Sequence, residues 1–289
     1  MAKLLVLSGL PASGKTTKCM ELLAHGNTVR LNKDLMRTML HNDKFTGVNE
    51  SITRDAVRLL AKHFLKEGKT VLCDDTNLNE KTLQSWVDLA KECGASFEHK
   101  HIDTYWKECV YRDRVREKSV GEHVIVGMAM QYGFYEKPEM GFVIVDLDGS
   151  LCNIEHRLHY VKKPEGEKKD WKSFFGEMEH DTRREDVYAM VDKYYGEGYE
   201  IVFVSGRPDN YRAQTDTWLA KNFEIPYTAL FMRRSGDKRP DTEVKQQIYD
   251  TYFKDKYKVH KVIDDRPSVV RQWLSNGLDV IDVGSGIEF

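Results

Sequence analysis

Two stretches of the chain share one layout of apolar and polar positions. Leu4–Ser8 (LLVLS) and Phe142–Val145 (FVIV) are short apolar runs of strand length, and each ends in a chemically loaded turn. Further strand-length runs follow at Thr28–Leu31 and Thr70–Cys73 in the first half. The second half has Glu200–Val204 and His260–Ile263. Helix-length segments separate them, and Thr17–Ala24 fits the first helix. Strands alternating with helices predict parallel βαβ units with right-handed crossovers. Lys137-Pro138-Glu139-Met140-Gly141 reads as a short linker. The pattern therefore predicts an α/β chain of two parallel-sheet, three-layer domains, 1–138 and 141–289.

Length and composition fit that division. A chain of 289 residues has room for two ordinary cores, and 40% apolar with 31% charged residues is usual for a globular protein. Met1-Ala2-Lys3 runs straight into a strand without the layout of a secretory signal, and no apolar run reaches membrane-span length. The five cysteines are scattered with no CxxC pair, which fits a reducing cytoplasm and no zinc site or disulfide framework. Net charge is −2. Residues 1–140 carry 21 basic against 19 acidic side chains, and residues 141–289 carry 23 against 27. Neither half is a basic clamp for duplex nucleic acid, so any such contact is confined to an end or a few phosphates.

The first turn carries the most specific motif. Gly9-Leu10-Pro11-Ala12-Ser13-Gly14-Lys15-Thr16 satisfies GxxxxGK[ST] between a strand and a helix. Glycines let backbone N–H groups converge on phosphate oxygens, and the helix N-terminus adds a favourable dipole. Gly9, Ala12, Ser13, Gly14, Lys15, Thr16 and Thr17 are the expected nucleotide contacts, with Lys15 on the β/γ-phosphates and Thr16 on Mg²⁺. This predicts a P-loop fold that binds ATP. A switch or motor NTPase would need further segments, so a small kinase is the better fit.

The acceptor side is less specific. Asp34 in Asn32-Lys33-Asp34-Leu35-Met36-Arg37 falls near a strand end, where a carboxylate can take the proton of an attacking hydroxyl. It is equally readable as a helix N-cap. Arg37 lies one helical turn on. Asp74-Asp75-Thr76-Asn77 closes the strand KTVLC and is readable as metal support, as an acceptor loop, or as a capped turn. Arg112 and Arg116 are four apart, on one face if helical, as a lid closing on a triphosphate would require. The plain alternative is a solvated helix paired with Asp113 and Glu117.

In the second half, the apolar strand delivers Asp146-Leu147-Asp148-Gly149-Ser150. Spacing by one residue puts both carboxylates on one side of an extended strand, where one can attack phosphorus and the other can handle the leaving-group proton. This resembles motif one of the haloacid dehalogenase superfamily. Ser205-Gly206-Arg207 resembles motif two, Lys245 the motif-three lysine, and Asp264-Asp265 the acidic motif four. Asp146 is then the nucleophile. Ser205, Gly206, Arg207 and Lys245 are the phosphoryl-oxygen contacts. Asp146, Asp148, Asp264 and Asp265 are the Mg²⁺ set.

Taken together, GxxxSGKT, NKDLMR, DDTNLN, R-x₃-R, DLDGS, VSGR, GDKRPDTEVK and IDDR resemble the phage-type polynucleotide 5′-kinase/3′-phosphatases over nearly the whole chain. The resemblance implies a P-loop kinase followed by a haloacid dehalogenase-like (Rossmannoid) phosphatase with a small cap insertion. It also implies ATP and Mg²⁺ as cofactors and nucleic-acid ends, RNA or DNA, as substrates. Asp34 becomes the general base on a 5′-hydroxyl, and Arg37 and Thr76 become acceptor contacts. Arg112 and Arg116 become lid contacts, with Arg116 catalytic beside Lys15. Asp148 becomes the general acid/base. A homo-oligomer, as family members often form, coupling to a ligase and a phage or bacterial cytosol follow from the same resemblance, while the lack of a membrane-length apolar run predicts no membrane partner. Leu151–Asp186 does not map onto a known cap. One rival reading stays open, a kinase/phosphatase of small molecules; intact Lys15, Asp34, Asp146 and Lys245 argue against another, a nucleotide-binding adaptor with degenerate sites.

Overall fold

The computed structural model describes residues 2–23, 27–164, 166–286 and 288. Ala24, the expected end of the first helix, lies outside them. Contacts divide the chain into two compact units, Met1–Phe134 and Tyr135–Phe289.

The first unit runs β1 (Lys3–Ser8), α1 (Lys15–Leu23), β2 (Thr28–Leu31), α2 (Lys33–His41), α3 (Gly47–Lys66), β3 (Thr70–Cys73), α4 (Glu80–Glu92), β4 (Ser96–His101), α5 (Trp106–Arg114) and α6 (Glu122–Tyr132). Its four strands form one parallel sheet in the order β2-β3-β1-β4. Alternation along β1 makes the layers. Leu4 and Val6 pack with Val57, Ala61 and Leu65 of α3 and Trp86 and Leu89 of α4. Leu5 and Leu7 face the other way, onto Cys19, Leu22 and Leu23 of α1. The sheet is thus covered on both faces, as parallel sheets require. Its loops place chemistry at the C-terminal ends of β1, β2 and β3.

The second unit runs β5 (Phe142–Val145), β6 (Cys152–Asn153), α7 (Glu155–Leu158), α8 (Trp171–Gly176), β7 (Thr182–Arg183), α9 (Glu185–Gly196), β8 (Glu200–Pro208), α10 (Arg212–Asn222), β9 (Ala229–Arg233), α11 (Asp241–Tyr252), β10 (Val259–Asp264), α12 (Pro267–Ser275) and β11 (Val280–Asp282). Five strands form a parallel sheet in the order β11-β10-β5-β8-β9. Val143, Val145, Ile201 and Phe203 on one face pack with Val187, Val191, Trp218 and Leu219 of α9 and α10. On the other face α11 touches β8 and α12 touches β10. Phe142 meets Phe253, just past α11, edge-on at 5.7 Å.

One local expectation is corrected. Strand β8 continues past Val204 to Pro208, so Ser205 and Arg207 lie within it rather than at its end. The 151–186 segment is a small insertion closed by an antiparallel β6–β7 pair, with α7 and α8 inside it. Among the described residues, no helix is long and apolar enough to cross a membrane.

Candidate active sites

The P-loop of the first unit is built as its motif requires. Gly9 (φ 145°), Ala12 (φ 59°) and Gly14 (φ 100°) all have positive φ. A side chain at Gly9 would meet the Ile102 carbonyl oxygen at 2.7 Å, so glycine is required there by space as well as by φ. The Gly9 amide donates to the Thr76 carbonyl (3.0 Å), so Thr76 supports the loop through its backbone. Lys15 is buried. Its Nζ donates to the carbonyls of Gly9 (2.9 Å) and Leu10 (2.6 Å). Burial lowers its pKa to about 8; Arg116 adds to the depression and Asp74 opposes it.

Thr16 Oγ1 donates to Asp74 Oδ2 (3.0 Å), which leaves the hydroxyl lone pairs for a cation. Asp74 also accepts from Arg30 Nη2 (2.7 Å) and from Asn32 Nδ2 (3.1 Å). Asp75 is buried, and burial raises its carboxyl to about 6. One of its oxygens accepts the Lys33 amide (2.8 Å), and the other makes no hydrogen bond. A hydroxyl and two carboxylates beside a P-loop form a hard-oxygen set that fits Mg²⁺. Sequence reasoning missed Arg30, whose only signal was a cation inside an apolar strand.

The N-cap of α2 is Asn32, which excludes that reading of Asp34. Asp34 sits in the first helical turn with its side chain 80% exposed, and Arg37 Nη1 donates to it at 2.7 Å. Arg37 also pairs with Glu50 and lies 5.2 Å over the Phe45 ring, so three groups hold it in place.

The lid expectation needs correction. Helix α5 ends at Arg114, so Arg116 lies beyond it and shares no helix face with Arg112. The buried Asp113 carboxylate accepts from the Ser119 hydroxyl and the Val120 and Gly121 amides, which turns the chain out of the helix. Arg116 pairs with Asp113 (2.5 Å) and Arg112 with Glu108 (2.8 Å). Arg112 still reaches the P-loop: its Nη1 stands 3.9 Å from the position a Gly14 Cβ would occupy.

In the second unit the motif residues meet at the floor of a cleft of about 790 Å³. Asp146, Asp264 and Asp265 each offer an oxygen, all within 4.8 Å of one another. Lys245, 1% exposed, donates to Asp146 Oδ1 (2.8 Å) and Asp264 Oδ2 (2.7 Å). Asp265 approaches Gly149 (φ 88°) so closely that a Cβ there would overlap its carboxylate. Burial, with Asp264 adding, raises Asp265 to about 7, and burial pushes Asp146 well above the usual carboxylate range. Three carboxylates against one ammonium leave an excess of negative charge that a divalent cation would offset.

Asp148 is placed differently from expectation. Strand β5 ends at Val145 and the chain turns at the fully buried Leu147, so strand alternation does not align Asp148 with Asp146. Its side chain is not one of the three clustered carboxylates. It accepts instead from Arg157 Nη2 (2.5 Å) and Arg207 Nη2 (2.5 Å). Despite burial, the two guanidiniums hold Asp148 below the usual carboxylate range.

Arg207 and Ser205 are fully buried and do not line the cleft, contrary to the expectation that both touch the phosphoryl group. Arg207 also donates to Asp181 (3.0 Å), and the Ser205 hydroxyl accepts the Arg207 amide (3.2 Å). Gly206 does line the cleft. Arg157 and Asp181 come from the insertion and carry no motif, so sequence reasoning missed them. It also missed Asp241, Arg233 and Arg266 at the cleft wall.

Comparison with known proteins fits this geometry. Residues 4–136 match the model of an AAA domain, and residues 140–287 match that of the polynucleotide kinase PNKP phosphatase domain. A protein of Autographa californica nuclear polyhedrosis virus, named as a bifunctional polynucleotide kinase/RNA ligase, is 28% identical over 94% of this chain. The chain spans only 41% of the length of that relative. Among solved structures, a chain of the Pnkp1/Rnl/Hen1 RNA repair complex is 26% identical, with 99% of this chain and 97% of that one covered and a TM-score of 0.44. The Mycobacterium tuberculosis APS kinase CysC is 22% identical over 39% of this chain and 69% of its own, with a TM-score of 0.34. Through residues 140–287, more than half of its length, the chain belongs to the polynucleotide kinase PNKP phosphatase-domain family.

Proposed function

We propose that this chain heals nucleic-acid ends: residues 1–138 phosphorylate a 5′-hydroxyl from ATP, and residues 141–289 remove a 3′-phosphate. The observation that carries the reading is the buried Asp146–Lys245–Asp264–Asp265 cluster at a cleft floor in a chain of this family.

In the phosphatase, Asp146 Oδ attacks phosphorus as the bond to the 3′-oxygen breaks, leaving an aspartyl phosphate that water then hydrolyses. Lys245 orients Asp146 and offsets charge between it and Asp264. Asp146, Asp264 and Asp265 would hold Mg²⁺, which supplies charge neutralisation for the transferring phosphoryl group. As held by Arg157 and Arg207, Asp148 is ionised and suited to take a proton from the attacking water. To protonate the leaving oxygen, that pairing must first open and Asp148 must take up a proton from solvent.

In the kinase, Lys15 leaves its loop carbonyls for the β/γ-phosphates, and Thr16 with Asp74 would hold Mg²⁺. Asp34, exposed beside Arg37, takes the proton of the incoming 5′-hydroxyl. Arg37 and Thr76 contact the acceptor; Arg112, already beside Gly14, closes on the triphosphate, and Arg116 joins it only by leaving Asp113. The viral relative carries a ligase name as well as a kinase name, so a ligase acting on the healed ends is the expected next enzyme. We place the protein in a phage or bacterial cytosol, as a homo-oligomer.

The test is phosphate transfer from γ-labelled ATP to 5′-hydroxyl RNA and DNA, alongside nucleosides and sugars. Labelling of polynucleotide ends is expected. Labelling confined to small molecules would favour a metabolic kinase/phosphatase and sink the end-healing reading.

A further inference from the structure

The phosphatase cleft has a floor that the proposed reaction uses and a wall that it does not. The wall is aromatic. Phe174 and Phe175 of α8 are buried, whereas Trp171, one turn earlier, is 40% exposed at the same cleft. Trp171 stacks on Phe175 (centroids 5.8 Å apart, planes 22° apart) and meets Phe174 edge-on (5.7 Å, 88°). Phe175 in turn packs on Tyr211 at 5.4 Å. The wall is tied to the chemistry behind it. Arg157, which pairs with Asp148, lies 4.1 Å over the Phe174 ring and donates to the Phe174 carbonyl (3.1 Å). Trp171 therefore has two fixed neighbours on its inner side, Lys169 Nζ lies 5.7 Å over its ring, and part of its surface stays exposed at the cleft. Lys238 and Arg239 lie exposed along the same cleft, Arg239 held by an ion pair with Asp237 (2.6 Å) that a phosphate would have to displace.

We propose that this wall is a nucleobase subsite. When a 3′-phosphate reaches Asp146, Trp171 stacks on the base of the terminal nucleotide, while Lys238 and Arg239 meet the next backbone phosphate. The inference rests on the end-healing reading and adds a substrate class to it, an unpaired 3′-terminal nucleotide of any sequence. A flat indole accepts every base through its π-face, and an unpaired base is free to leave its neighbour and stack. A buried-edge tryptophan with a purely structural role would have no reason to face a phosphate-handling cleft beside two cations. The stacking is sequence-tolerant, and the cations supply charge complementarity to the strand that carries the phosphate.

The experiment compares 3′-phosphate release from a single-stranded oligonucleotide and from its twin with an abasic 3′-terminal residue. The wild-type protein is expected to favour the base-bearing oligonucleotide in kcat/KM by ~10-fold, the effect of losing one stacked base. Trp171→Ala should bring that ratio close to one, and Trp171→Phe should keep most of it. A fold defect in Trp171→Ala would lower both arms and leave the ratio intact, which contradicts the subsite. A wild-type ratio near one also contradicts it. If the wild-type protein releases phosphate from neither oligonucleotide yet does so from p-nitrophenyl phosphate, the end-healing reading itself fails, and this subsite with it.

Discussion

The two sites hold their charges in opposite ways. At the phosphatase floor, Asp146, Lys245 and Asp264 are nearly or fully buried and directly paired. On the kinase acceptor side, the Asp34 side chain is 80% exposed and pairs with an arginine on its own helix. A buried cluster of carboxylates is costly unless something offsets it, so its presence in a core already implies a cation or a phosphate-handling role. An exposed Asp–Arg pair costs almost nothing and is common, so its chemistry is visible only through neighbours and family. Function should therefore be coupled to stability in one half and uncoupled from it in the other.

That contrast orders the expected effects. Lys245→Met leaves three carboxylates without their ammonium. It should cut 3′-phosphatase activity ~10³-fold and cost about 3–5 kcal/mol of stability, read as a lower thermal midpoint. Unaltered stability in that variant would show that the cluster is not charge-balanced as described. Asp34→Asn should lower 5′-kinase turnover by ~10²–10⁴-fold with hardly any change in melting. A large melting loss would make Asp34 structural instead. Arg207→Lys keeps the charge but not the fork that meets Asp148 and Asp181. We expect ~10-fold less phosphatase kcat, with KM little changed because Arg207 does not touch the cleft. A rise in KM alone would return Arg207 to substrate binding.

The smallest effect concerns protons. The folded pKa of Asp265 is raised to about 7, above its unfolded value of about 4. Its contribution to metal-free stability is then fully present below that unfolded value and lost as pH rises through about 7. Mg²⁺ binds the ionised carboxylates, so it should raise the melting midpoint more at about pH 8 than at about pH 5.5. An equal or reversed shift, followed by scanning fluorimetry, would argue against Asp265 as a ligand.

The residues that sequence reasoning placed correctly share one property: local chain geometry fixes them. The P-loop turn and the strand end at Val145 are set by neighbours a few positions away. Periodicity misled wherever a turn intervened, at Leu147 between the two aspartates and at Asp113, whose turn carries Arg116 off the helix. Arg157 and Asp181 were illegible because they meet Asp148 only after the insertion folds back over β5. No spacing rule reports a partner 24 residues from Arg157 along the chain. The aromatic wall was hidden for the same reason: nothing along the chain marks Trp171 as a cleft residue.

One oligonucleotide carrying a 5′-hydroxyl and a 3′-phosphate, incubated with ATP and Mg²⁺, reports both chemistries in a single mass spectrum. The wild-type chain should gain a phosphate at the 5′ end and lose one at the 3′ end. Asp146→Asn should retain the gain and abolish the loss, and Asp34→Ala should do the reverse. If either variant removes both activities while remaining folded, the chain does not carry two independent phosphate sites.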